Sequence, residues 1–100
     1  MLLILYSKPG CHLCEALQEK LEDIQNNPRS VCQFDLEIRD ITTNNQWFET
    51  YQYEIPVLFL VKFQPEGDLS QEVQPLPRPS PRASVSQLEQ MLSKYLLPEK

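Results

Sequence analysis

The chain has 100 residues, enough for one small domain over 1–100 and too few for two. Nine basic against fourteen acidic residues give a net charge of −5, which argues against nucleic acid or an anionic membrane as the main partner, since both reward clustered Lys and Arg. Hydrophobic residues at 41% and charged residues at 23% argue against wholesale disorder and allow a small packed core.

Residues 2–6 (Leu-Leu-Ile-Leu-Tyr) are apolar throughout, the pattern of a strand buried on both faces. The run is too short for a signal-peptide core or a membrane span. With no targeting segment in view, the expected compartment is the cytosol. Ser7-Lys8-Pro9-Gly10 breaks the strand into a tight loop. A helix is predicted from about Cys11, because Cys14, Leu17, Leu21 and Ile24 recur at three- and four-residue steps. Asn26-Asn27-Pro28 ends it, since Pro disfavours helical geometry in the residue before it.

Cys32, Phe34, Leu36 and Ile38 alternate with polar neighbours, which predicts a strand with one buried face at the edge of a sheet. The stretch Asp40-Ile41-Thr42-Thr43 offers N-caps for a shorter helix carrying Trp47, Phe48 and Tyr51. That helix must stop before Pro56. Residues 57–61 (Val-Leu-Phe-Leu-Val) form a second central strand, and Pro56 suits its first position because Pro lacks a ladder donor. Residues 64–68 read as a turn, and 69–73 as a weak hairpin partner. The prolines at 75, 77, 79 and 81 exclude helix and central strand. They read as a stiff loop, with a proline-motif ligand as the alternative. Ser84 with Gln87 resembles a capping box ahead of a last helix whose apolar face holds Val85, Leu88, Leu92, Tyr95 and Leu96. The predicted order is β-α-β-α-β-β-α, with a parallel first crossover and helices on both faces of a four-stranded sheet.

Three cysteines are too few for a secreted disulfide scaffold. Cys11 and Cys14 stand three apart at a helix start, within reach of a disulfide. Unpaired N–H groups and the positive end of the helix dipole both stabilise a thiolate on Cys11, and Lys8 adds a cation. His12 is a candidate for tuning the same thiolate. Cys14, on the apolar stripe, should keep its proton longer. That asymmetry suits attack by Cys11 followed by displacement by Cys14. Two other readings remain. A zinc or iron–sulfur site would need further ligands, for which only His12 and Cys32 are on hand, and no metal is expected. An inert pair of core cysteines conflicts with the Pro-Gly loop beside it. Cys32 itself reads as core packing.

The segment Tyr6-Ser7-Lys8-Pro9-Gly10-Cys11-His12-Leu13-Cys14 resembles the glutaredoxin active-site segment, and Ile55-Pro56-Val57 is similar to that family's cis-proline motif. The resemblance covers nearly the whole chain. It implies a thioredoxin-like α/β fold with strand order 2-1-3-4 and the third strand antiparallel to the first. It also implies that Pro56 is cis and faces the cysteine pair, with the Ile55 backbone pairing with an extended substrate. Cys11 would be the nucleophile and Cys14 the resolving cysteine of a thiol-disulfide oxidoreductase without a resident cofactor. His12 and Leu13 stand where the family carries Pro-Tyr. Pro79-Ser80-Pro81-Arg82-Ala83-Ser84 stands where it carries the Gly-Gly-x-x-Asp grip on glutathione's γ-glutamyl end. Lys8 and Ile55 remain to hold the glycine end. The expected partners are therefore a protein disulfide or a glutathione mixed disulfide, with glutathione as a candidate co-substrate, and the chain is expected to work as a monomer. A non-catalytic binding module built on the same fold is the alternative.

Overall fold

A computed structural model describes residues 2–30, 32–63, 71–80 and 82–96. Its elements in chain order are β1 (Leu2–Ser7), α1 (His12–Asn26), β2 (Asp35–Asp40), a 3-10 turn (Ile41–Thr43), α2 (Asn45–Tyr51), β3 (Val57–Phe63), β4 (Gln71–Pro75) and α3 (Val85–Leu96). The sheet order is β2-β1-β3-β4. The β1–β2 pair is parallel, and β1–β3 and β3–β4 are antiparallel. This is a thioredoxin-like fold, with the sheet order expected from the resemblance.

The central strands are the two fully apolar ones. Leu3, Leu5, Leu58 and Leu60 point to one face, where Leu17, Leu21 and Ile24 of α1 and Leu88, Leu92 and Leu96 of α3 cover them. Each such side chain, taken fully from water, contributes roughly 1.5–3 kcal/mol. Ile4, Tyr6 and Val61 point to the other face, under Trp47 and Tyr51 of α2. Alternation along β1 and β3 thus feeds two cores from one continuous apolar run.

Helix ends follow local chemistry. The α1 helix stops at Asn26, and the Asn27 side chain accepts from Arg29 N (3.0 Å) to turn the chain. Ser84 and Gln87 form a reciprocal box at α3: Ser84 N–H donates to Gln87 Oε1 (2.9 Å) and Gln87 N–H to Ser84 Oγ (3.1 Å).

Three boundaries differ from expectation. The β2 strand begins at Asp35, so Cys32 and Phe34 are buried ahead of the ladder rather than on it. Asp40 caps the 3-10 turn by accepting from Thr42 N, while Asn44 caps α2 by accepting from Gln46 N and Trp47 N. A single predicted helix start is therefore split in two, because each short polar side chain closes its own turn. Finally, β4 runs to Pro75 within the proline-rich stretch, which is tolerated because β4 is an edge strand. The predicted turn at 64–68, and residues 69 and 70, lie outside the described residues.

Candidate active site

Strand β1 ends beside the start of α1, and the loop between them sets the site. Gly10 has a φ of +82°, a left-handed conformation that L side chains rarely adopt, and this turns the chain into the helix. Cys11 N–H donates to the Lys8 carbonyl (3.3 Å), closing the loop. Cys11 is then the N-cap residue of α1, with φ −84° and ψ 103°.

Cys11 and Cys14 form a disulfide across the first turn, with their Cα atoms 5.3 Å apart. The Cys14 N–H also donates to Cys11 Sγ at 3.2 Å. The sulfur thus occupies the place of an N-cap oxygen, against one of the orphan donors of the first turn. Burial separates the two cysteines. Cys11 is half-buried, whereas Cys14 is 1% exposed. An incoming group meets Cys11 first.

The other expected site residues are placed as follows. Lys8 is exposed, three residues before Cys11. The His12 ring is 96% exposed and leans toward the Glu15 carboxylate, with Nδ1 3.8 Å from it. The Ile55–Pro56 peptide is cis. Pro56 is buried and Ile55 half-buried. The Ile55 N–H donates to the Tyr51 carbonyl (3.1 Å).

Pro56 reaches the helix of the cysteine pair through a cleft. Leu13, Ala16 and Leu17 of α1 line it together with Pro56, Pro79 and Ala83. Lys20 and Arg78 line it as well. The Lys20 ammonium donates to the Ala83 carbonyl (2.6 Å), and the Arg78 guanidinium donates to the Glu54 carbonyl, just before Ile55. These two cations tie the proline-rich connection to α1 and to the Pro56 loop. Leu76 anchors the same connection through its buried side chain and its N–H bond to Leu58 O (2.9 Å). None of these contacts is periodic in sequence. The only sequence signal was the Pro-rich composition, which marks a stiff segment and not where it lies.

Cys32 belongs to the core and not to the site. Cys32 is 1% exposed, and burial, then the Glu89 carboxylate, pushes its thiol pKa up. Among the described residues, no three His, Cys, Asp or Glu side chains are grouped to hold a metal ion. No helix among them is long and apolar enough to cross a membrane.

A mixed four-stranded sheet in order 2-1-3-4 with a Cys-x-x-Cys at the start of its first helix defines a thioredoxin-like protein with a dithiol–disulfide centre. A family model, the glutaredoxin-like domain (DUF836), matches residues 2–93, and the chain belongs to that family. No curated protein matches the chain.

Proposed function

We propose that the protein is a cytosolic thiol-disulfide oxidoreductase that works through Cys11 and Cys14. The observation that carries this is the asymmetry of the pair: one sulfur reachable and held at the helix N-terminus by a backbone N–H, its partner buried one turn deeper.

In the reduced protein the Cys11 thiolate is favoured by the same donor and by the helix dipole. It attacks one sulfur of a substrate disulfide. The Cys11–substrate bond forms, the substrate's own S–S bond breaks, and one substrate thiolate leaves. Cys14 loses its proton and attacks Cys11 Sγ, which releases the second substrate thiol and closes the Cys11–Cys14 disulfide. Two electrons have passed to the substrate. An external thiol or dithiol returns them by the same exchange in reverse. Pro56 supplies an apolar wall of the cleft that runs along α1, and Lys8 a cation for an anionic substrate group.

The test is reduction of a disulfide substrate, coupled to an external dithiol and followed by thiol release. Cys11→Ser abolishes turnover on this reading. Cys14→Ser halts the reaction at a mixed disulfide on Cys11 that mass spectrometry detects. Undiminished turnover in Cys11→Ser would refute the proposal.

A further inference from the structure

The sheet face turned away from α1 and α3 is covered unevenly. Trp47 and Tyr51 of α2 close over Tyr6 near the end of β1, with ring centroids 5.6 and 4.4 Å from it. The same face carries an open hollow of about 330 Å³. Its floor is apolar. Ile4 and Val61 lie buried there beside Phe59, and Val73, which is 53% exposed, forms the far rim.

The opposite end is polar. Arg39, Tyr6 and Tyr51 line it, and Arg39 is the one charged lining side chain among the described residues. Its guanidinium is held in place. Nη1 donates to the Tyr6 hydroxyl (2.9 Å), Nε donates to the Glu37 carboxylate, and the Tyr6 and Trp47 rings flank it at 5.6 and 5.2 Å. Those two bonds use two of the five donors that a guanidinium carries. Two carboxylates stand nearby, Glu37 beside Arg39 and Glu54 within reach of Tyr51, and neither lines the hollow.

Strand register fixes the spacing of the two ends. Arg39 is paired with Tyr6, Leu2 with Val61, and Val61 with Val73. Tyr6 and Leu2 are four residues apart, so at about 3.3 Å per residue the guanidinium row and the valine row are separated by roughly 13 Å along the strands. A trough with a partly buried cation at one end and branched aliphatic side chains at the other matches a chain with a charged head. Bonds from a guanidinium to a carboxylate are stronger than those to a neutral acceptor, and the tail gains by leaving water for the apolar floor.

We propose that this hollow binds a medium-chain aliphatic carboxylate, its head on Arg39 and the Tyr51 hydroxyl and its tail over Ile4, Phe59 and Val61 toward Val73. The site shares no residue with the cysteine pair and does not depend on the exchange reaction proposed above.

Decanoate is the probe. It is titrated into the 100-residue chain by calorimetry, with the emission of Trp47, the single tryptophan, followed in parallel. Saturable one-to-one binding is expected, together with a change in Trp47 emission, because that ring lies against the guanidinium. Decanol, which has no charge, should bind about tenfold more weakly than decanoate, and decanoate should bind Arg39→Gln about tenfold more weakly than wild type. Hexanoate, four methylenes shorter, should lose at least about tenfold. Val73→Glu changes an exposed position and leaves the core intact; it should weaken decanoate about threefold by placing a like charge at the rim. Absence of saturable binding, decanol binding as tightly as decanoate, or undiminished affinity in both variants would overturn the inference. So would a dimer, seen by sedimentation, whose formation alone changes Trp47 emission and which decanoate does not dissociate, since the face would then belong to a second copy of the chain.

Discussion

The two faces of the sheet are built from the same strands but sealed to different depths. On the α1–α3 face the covering residues are aliphatic, and Leu21, Leu88 and Leu92 have at most 1% of their surface exposed. On the α2 face the cover is a seven-residue helix with no fully buried side chain. An aromatic cluster does the work of packing there. Tyr6 lies 4.4 Å from Tyr51, 5.6 Å from Trp47 and 5.8 Å from Phe59, centroid to centroid. Arg39 sits 5.6 Å above Tyr6 and 5.2 Å above Trp47, and its Nη1 donates to the Tyr6 hydroxyl (2.9 Å). The long helices hold the fold from one side, and one of them also carries the cysteine pair at its start. The site thus stands on the better-packed half of the molecule.

This contrast can be broken by mutation. Leu21→Ala and Leu92→Ala should each cost about 2–5 kcal/mol in urea unfolding, because their sites are closed and leave a cavity. Trp47→Ala removes a larger side chain but from a position that is only partly buried, and should cost less than either leucine. A Trp47→Ala loss equal to the leucine losses would erase the distinction between the faces. Ser84→Ala, which removes one arm of the α3 capping box, should cost about 1 kcal/mol. Arg39→Ala should cost roughly 0.5–1 kcal/mol, from the loss of the cation–π contacts at a partly exposed site.

Alkali sharpens the comparison. Burial, then Glu89, raises the Cys32 thiol pKa on the α1–α3 face; burial first, with Tyr6 and Glu54, raises the Tyr51 hydroxyl pKa on the other. In both cases the folded protein holds its proton where the unfolded chain releases it. Stability is therefore full below the unfolded pKa and declines as pH climbs toward the folded one. The decline should begin near pH 8.5–9 from Cys32 and only near pH 10 from Tyr51. A Tm series from pH 8 to 10.5 should show the shallow early decline in wild type and its absence in Cys32→Ala.

What the sequence made legible follows the same division. The double burial of β1 and β3, the stripe Cys14-Leu17-Leu21-Ile24 and the Ser84–Gln87 box were readable because each is a local repeat or a three-residue interaction. The start of β2 was not, since Cys32 and Phe34 keep the alternation of a strand while packing as coil; pairing partners, not periodicity, decide where a ladder begins. The split at Asp40 and Asn44 was hidden because both residues cap equally well, and only the chain's path separates them. At the site, Cys11 and Cys14 were visible from spacing alone. The cleft was not, because Lys20–Ala83 and Arg78–Glu54 join residues 63 and 24 positions apart. The exposed turn of His12 toward Glu15 was equally invisible, as neighbours on one turn share no pattern that tells which way a ring leans.

The proposed exchange depends on the helix N-terminus ionising Cys11 near neutrality. The direct measurement is the pH dependence of alkylation of Cys11 in the reduced Cys14→Ser variant, read by mass spectrometry from pH 4 to 10. The rate should rise and level off with a midpoint clearly below the ordinary free-cysteine value of about 8.5. A midpoint at or above that value would contradict it.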